Sequence, residues 1–78
     1  MTVQKLKQDE IKIGDNIRRI RKMRNIGQTE LVRELDLMGV PTTREALVKI
    51  ERGIQHISAT QLRAIRDALD TTYDELLK

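Results

Sequence analysis

Positively charged side chains at helical spacing are the residues in this sequence with the most chemistry to offer. Arg18, Arg19, Arg21, Lys22 and Arg24 place five cations within seven residues. Farther on, Thr42, Thr43, Arg44, Glu45 and Lys49 lie in a short stretch bounded by Pro41 and Gly53. A guanidinium fork matches planar acceptor pairs: two phosphate oxygens, a carboxylate, or the O6 and N7 edge of guanine. Catalysis has no comparable set. The chain has no cysteine and one histidine, His56, so neither a thiolate nor a histidine metal cluster can be assembled. No nucleophile–base pair, evident carboxylate pair or phosphate loop stands out. The sequence therefore implies no metal, no cofactor and no enzyme.

The overall charge is only mildly basic, with 15 Lys and Arg against 12 Asp and Glu over 78 residues and a net charge of +3. Its distribution is more informative. The last twelve residues carry Asp67, Asp70, Asp74 and Glu75 against Lys78 alone. A basic front half and an acidic end suit one face to phosphates and another to solvent or a partner. A charge run by itself is more often a solvated helix face, so this one needs support from elsewhere. With Tyr73 the only aromatic, single-strand binding by base stacking is disfavoured. No apolar run approaches the length of a membrane span, and the N-terminus lacks the apolar segment of a signal peptide. The expectation is a soluble, cytoplasmic protein that makes no use of membranes.

The elements that must position these residues read as helices. Residues 1–10 are polar and aperiodic, which predicts a flexible tail or arm, with a single domain over 11–78. Ile13, Ile17, Ile20 and, less cleanly, Met23 mark the buried stripe of a first helix ending near Asn25. After Ile26-Gly27, a second helix is predicted from about Gln28 to Leu37, with Leu31, Val32 and Leu35 inward and Gly27 as cap. Met38-Gly39-Val40-Pro41 interrupts. Thr42-Thr43-Arg44-Glu45 fits a capping box, with Thr42 as cap and Glu45 reaching back. Ala46, Leu47 and Ile50 then supply a buried stripe, and Gly53 suits the left-handed residue beyond the helix end. Ser58-Ala59-Thr60-Gln61 is a second box, before the stripe Leu62, Ile65 and Leu69. Thr72-Tyr73-Asp74-Glu75 resembles a third, before Leu76 and Leu77. No segment alternates like a strand. The predicted fold is all-α, a compact bundle of five helices.

Two short helices joined by a non-helical link and preceded by a cationic helix are the parts of a helix-turn-helix, whose second helix enters the major groove. Here the resemblance becomes specific. Ile17-Arg-Arg-Ile-Arg-Lys-Met-Arg, Gly27-Gln-Thr-Glu-Leu, Leu47-Val-Lys-Ile-Glu-Arg-Gly and Leu62-Arg-Ala-Ile-Arg-Asp-Ala-Leu, in this order, resemble the phage-repressor and Cro-like family, also called the xenobiotic-response-element type. The resemblance runs from about Gly14 to Leu77, roughly four-fifths of the chain. It implies a lambda-repressor-like DNA-binding fold, with the reading head from about Gln28 to Gly53.

Position by position, the resemblance implies the following roles. Gln28 opens the first motif helix and bonds to a backbone phosphate, with Thr29 beside it. Arg21 pairs with Glu51 at the end of the recognition helix; spacing alone would leave them two unrelated surface charges. Thr43, Arg44, Glu45 and Lys49 face the groove, with Thr42 and Arg52 flanking them. Gly53, Ile54, Gln55 and His56 form a loop that approaches phosphate. Arg44 is the strongest candidate base reader, and Lys49 reads guanine less selectively or contacts phosphate. Glu45 can accept from a cytosine amine or close the capping box, and the cap is favoured. The sequence departs from the usual pattern in one respect. The link near Gly39-Val40-Pro41 is about five residues longer than the usual turn of three or four, so it must lengthen the second helix or broaden the loop.

The partner implied is double-stranded DNA, bound by a homodimer on a palindromic operator, since one small head contacts too few base pairs. The expected dimer surface is the C-terminal end, with Leu69, Tyr73, Leu76 and Leu77. The function implied is transcriptional regulation by a Cro/C1-type repressor, associated with the nucleoid when bound. A rival reading is an antitoxin-like protein that neutralises a protein partner and binds DNA secondarily.

Overall fold

In the computed structural model the described residues are 11–78, together with the backbone of Lys5 and Leu6. The expectation of a flexible tail over residues 1–10 otherwise lies outside them. The order of elements is β1 (Lys5–Leu6), α1 (Ile13–Met23), α2 (Gln28–Leu37), α3 (Arg44–Glu51), β2 (Ile57–Ser58), α4 (Ala59–Ala68) and α5 (Tyr73–Leu76). The five helices lie where the apolar periodicity puts them. The two strands correct the strand-free reading: Lys5 lies opposite Ser58 and Leu6 opposite Ile57 in an antiparallel ladder. Two residues per strand are too few for alternation to show in a sequence.

Each helix contributes one stripe to a single core. Ile13, Ile17 and Ile20 come from α1, Leu31 and Leu35 from α2, Leu47 and Ile50 from α3, with Ile57, Leu62, Ile65, Leu69 and Leu76 closing it. Val32 is only partly buried, and Met23 is 67% exposed rather than inward, because the chain leaves the helix at Arg24. The helix α3 packs against both α1 and α2, α2 also packs on α4, and α5 packs on α1. An eight-residue helix has too few backbone bonds to persist alone, so α3 owes its existence to these two neighbours.

Four helices end in the same way. Beyond α1, α2, α3 and α4 the chain turns left-handed at Asn25 (φ 57°), Gly39 (φ 77°), Gly53 (φ 77°) and Asp70 (φ 51°). After α2, for example, Gly39 N–H donates to Asp36 O at 3.0 Å and Val40 N–H to Leu35 O at 2.9 Å. These paired bonds satisfy carbonyls that the helix end would otherwise leave open. The link between α2 and α3 is thereby settled as residues 38–43, six in all. Because α2 ends at Leu37, the residues beyond the usual turn of three or four broaden the loop rather than lengthen the helix.

The C-terminal end corrects a further expectation. The expected dimer surface includes Leu69 and Leu76, but they are 1% and 0% exposed and belong to the core. Of that set only Tyr73, 37% exposed, and the partly buried Leu77 reach the surface. Burying these leucines inside one 78-residue chain gives it apolar area that so small a core needs.

Candidate nucleic-acid interface

The start of α3 differs by one residue from the sequence reading. Thr43, not Thr42, is the cap: Ala46 N–H donates to Thr43 Oγ1 at 3.0 Å. Thr42 is buried instead. Its hydroxyl donates to Val40 O at 3.3 Å and accepts from Gln61 Nε2 at 3.2 Å, which pins the link to the start of α4. Thr42 is thus a tether, and its placement among DNA-facing residues is corrected. Moving the cap also removes the expected capping box, because the third helical residue becomes Ala46. Glu45 is left exposed, with no role in the cap.

With Leu47, Ile50 and Glu51 buried, the opposite face of α3 carries Arg44, Glu45, Val48, Lys49 and Arg52, all exposed except the half-buried Val48. These positions recur at steps of one, three, one and three, so they form one stripe. The stripe combines two arginines, a lysine and a carboxylate around one small apolar side chain.

Behind that stripe lies a bonded network joining three helices. Arg21 Nε donates to Glu51 Oε2 at 2.8 Å and Nη2 to Oε1 at 3.0 Å, a two-pronged ion pair. The third arginine nitrogen, Nη1, donates to Ile26 O at 3.0 Å. Gln28 Nε2 donates to the same Glu51 Oε1 at 3.1 Å. The end of α3, the last turn of α1 and the first residue of α2 are thus held to one carboxylate. Gln28 keeps one amide hydrogen that is not directed at Glu51.

Within the cationic run of α1 only Arg21 is buried, and three of its four arginines are bonded to other parts of the fold. Arg21 is buried against Glu51. Arg24 turns to the end of α4, where Nε donates to Leu69 O at 3.1 Å and Nη2 to Asp70 O at 2.8 Å. Those carbonyls are the negative end of the helix dipole, so the cation fits there. Arg19 lies 3.6 Å from Glu75 of α5. Arg18 alone of the four arginines borders the outer stripe of α3, in a shallow depression with Asp15, Gln28, Val48, Glu51 and Arg52.

A family model described as helix-turn-helix matches residues 17–76. The chain belongs to the Cro/C1-type helix-turn-helix family. Comparison with curated proteins and with solved structures found no match. The all-α, lambda-repressor-like fold, the DNA-binding role and the broad assignment to transcription regulation follow from this membership. In helix-turn-helix terms, α2 and α3 are the motif pair and α3 is the recognition helix.

The remaining expected site residues fall around this helix-turn-helix head. Thr29 is exposed in the first turn of α2. The first-turn amides of α2 have no capping side chain, because residue 27 is glycine; Gly27 N–H itself lies 3.4 Å from Glu30 Oε1. Gln55, half-buried, and His56, exposed, follow Gly53 and border a second open depression with Gly39, Val40 and Pro41. The link and the loop after α3 are therefore neighbours, although these residues lie 14 to 17 positions apart in sequence.

Two residues of the head escaped the sequence reading. Val48 lies four residues after Arg44 and one before Lys49, so its place on the outer stripe follows from the helical period once the cap is set at Thr43. Arg18 is visible in the sequence only as one member of the cationic run. Only the packing of α1 on α3 decides which member of the arginine run borders Arg52.

Proposed function

We propose that the chain is a sequence-specific repressor of transcription that binds double-stranded DNA as a homodimer on a palindromic operator. The observation that carries this reading is the outer stripe of α3. Arg44, Glu45, Val48, Lys49 and Arg52 share one face of a helix whose other face is locked by Leu47, Ile50 and the Arg21–Glu51 pair. A rigid helix with such a face supplies what base reading needs: a fork for guanine at Arg44, a cation at Lys49, and a methyl-bearing side chain at Val48 to meet a thymine methyl. Glu45, free of the cap, is placed to accept from a cytosine amine.

Phosphate contacts set the register of such a helix. Gln28 and Thr29 open α2 with uncapped amides, and the dipole of this ten-residue helix favours an anion there. Arg52 and the loop residues Gln55 and His56 extend that line beyond the end of α3.

Dimerisation supplies the second half-site that one head lacks, spaced about one helical turn of DNA away. The C-terminal end remains the proposed surface. It is narrower than the sequence implied, and it centres on Tyr73, whose ring lies 4.5 Å below the Arg66 guanidinium carbon.

A selection from random duplex DNA at two salt concentrations tests the reading. A palindromic site with a steep loss of affinity at higher salt is the expected outcome. No enriched motif and no salt response overturns it. Sedimentation at high protein concentration showing only monomer overturns the homodimer.

A further inference from the structure

Beyond the residues assigned above, one cation of the head has no role in the fold. Arg33 is exposed on α2 and has no carboxylate within ion-pair distance among the described residues. It borders a shallow groove between the outer face of α2 and the start of α3, with Thr29, Asp36, Pro41 and Thr43 along the walls. Thr29, Arg33 and Asp36 share one face of α2, at steps of four and three. The acids Glu30 and Glu34 are each turned one residue farther round the helix, away from this groove.

Arg18 and Arg33 thus flank the recognition helix at opposite ends. Arg18 lies beside Val48 and Arg52, where α3 finishes. Arg33 lies beside Thr43, where α3 begins. The distance along the helix axis from Thr43 to Arg52 is about 13 Å at the usual rise per residue. The major groove of B-form DNA is about 12 Å wide, and its two edges are the phosphate backbones of opposite strands.

We infer that Arg18 and Arg33 form a two-sided clamp on the major groove, each holding a phosphate of a different strand. This inference rests on the DNA-binding reading of α3. It adds to it which strand each flank of the head grips. Arg18 joins Arg52 and the opening amides of α2 on one strand. Arg33, with the Thr43 hydroxyl nearby, takes the other. Clamping both strands fixes the tilt of α3 in the groove, which a set of contacts on one strand leaves free.

The test uses the duplex recovered by selection, with anisotropy titrations at several salt concentrations. Arg18→Ala and Arg33→Ala are each expected to bind about fivefold more weakly at 0.15 M salt, with a salt slope smaller by about one. Lys78→Ala removes the same charge at the α1–α5 end and is expected to leave the slope unchanged. The strand assignment is read with duplexes whose phosphates are replaced by neutral methylphosphonates on one strand at a time. Neutralisation on one strand is expected to stop affecting Arg33→Ala, and neutralisation on the other to stop affecting Arg18→Ala. If wild-type protein binds but Arg33→Ala matches it in affinity and slope, the clamp is overturned while the DNA reading stands. The clamp also falls if both variants lose sensitivity to the same strand, or if Lys78→Ala lowers the slope equally. If the wild type binds no duplex in a salt-dependent way, the DNA reading itself falls. Because both side chains are exposed, unchanged melting temperatures are expected and separate lost contacts from lost folding.

Discussion

The Arg21 guanidinium meets the Glu51 carboxylate edge to edge, at 2.8 and 3.0 Å, with the two side chains only 9% and 2% exposed. Glu51 is the last residue of the recognition helix and Arg21 lies in the helix before the motif, so the pair orients one against the other. Removing one member leaves the other charged and buried. Glu51→Ala and Arg21→Ala are each expected to lower stability by about 3–5 kcal/mol, close to the whole stability of a chain this small. The double change Arg21→Met with Glu51→Leu is expected to recover most of that loss. Urea denaturation of the two single variants and the double variant measures the coupling, and additive losses would contradict it.

Arg24 belongs to the same cationic run, yet it caps α4 through the Leu69 and Asp70 carbonyls. Arg24→Ala is expected to reduce stability by about 1 kcal/mol while the salt dependence of DNA binding stays as it was. A reduced salt slope with unchanged melting would instead place this arginine on phosphate.

Thr43 separates capping from DNA contact. Thr43→Ala removes the bond to Ala46 N–H and is expected to cost about 1 kcal/mol of stability. Thr43→Asp keeps a capping oxygen, so its stability should match wild type. Its negative charge at the start of α3 should nevertheless weaken DNA binding. Thermal melts and binding titrations of the two variants read the effects separately.

Two glycines with equally open surroundings are expected to respond in opposite directions. No atom lies within 4 Å of a Cβ built at Gly27 or at Gly39, but Gly39 has φ +77°. Gly27→Ser adds a capping hydroxyl to α2 and should stabilise by a few tenths of a kcal/mol, on the order of 0.3. Gly39→Ala forces a left-handed alanine and should destabilise by about 1 kcal/mol. Equal melting temperatures for the two variants would contradict the reversal after α2.

Lys78, through a hydrogen bond and its charge, together with the Arg19 charge, holds the Glu75 carboxyl below its ordinary value of 4.5. A lowered folded-state value means that this stabilisation is complete above the ordinary value and is lost as pH falls through the lowered one. Glu75→Gln should therefore be slightly less stable than wild type at neutral pH, with the difference closing as pH falls below about 4.5, so that its acid limb is flatter. An identical acid limb for variant and wild type would remove the effect.

Sequence periodicity alone determined the five helices, because each buries one stripe and a stripe at 3.6-residue spacing is visible without any partner. It also placed Arg44 and Lys49 on the outer side of α3, since Leu47 and Ile50 can only be core. The ends of the helices were less legible. Thr42 and Thr43 offer the same hydroxyl, and only the bond from Gln61 on α4 draws Thr42 inward and leaves the cap to Thr43. The arginine run shows the same limit more sharply. Arg18, Arg19, Arg21 and Arg24 are chemically identical and spaced by a few residues. Which one pairs with Glu51, which reaches α5, which caps α4 and which borders the recognition helix depends on what packs against each side of α1. Leu69 and Leu76 likewise read as surface for a second chain until the fold closed over them. Local spacing specifies which groups share a helix face. Only the tertiary arrangement of those helices decides whether a face meets the core, a charge from another helix, or the solvent where DNA can reach it.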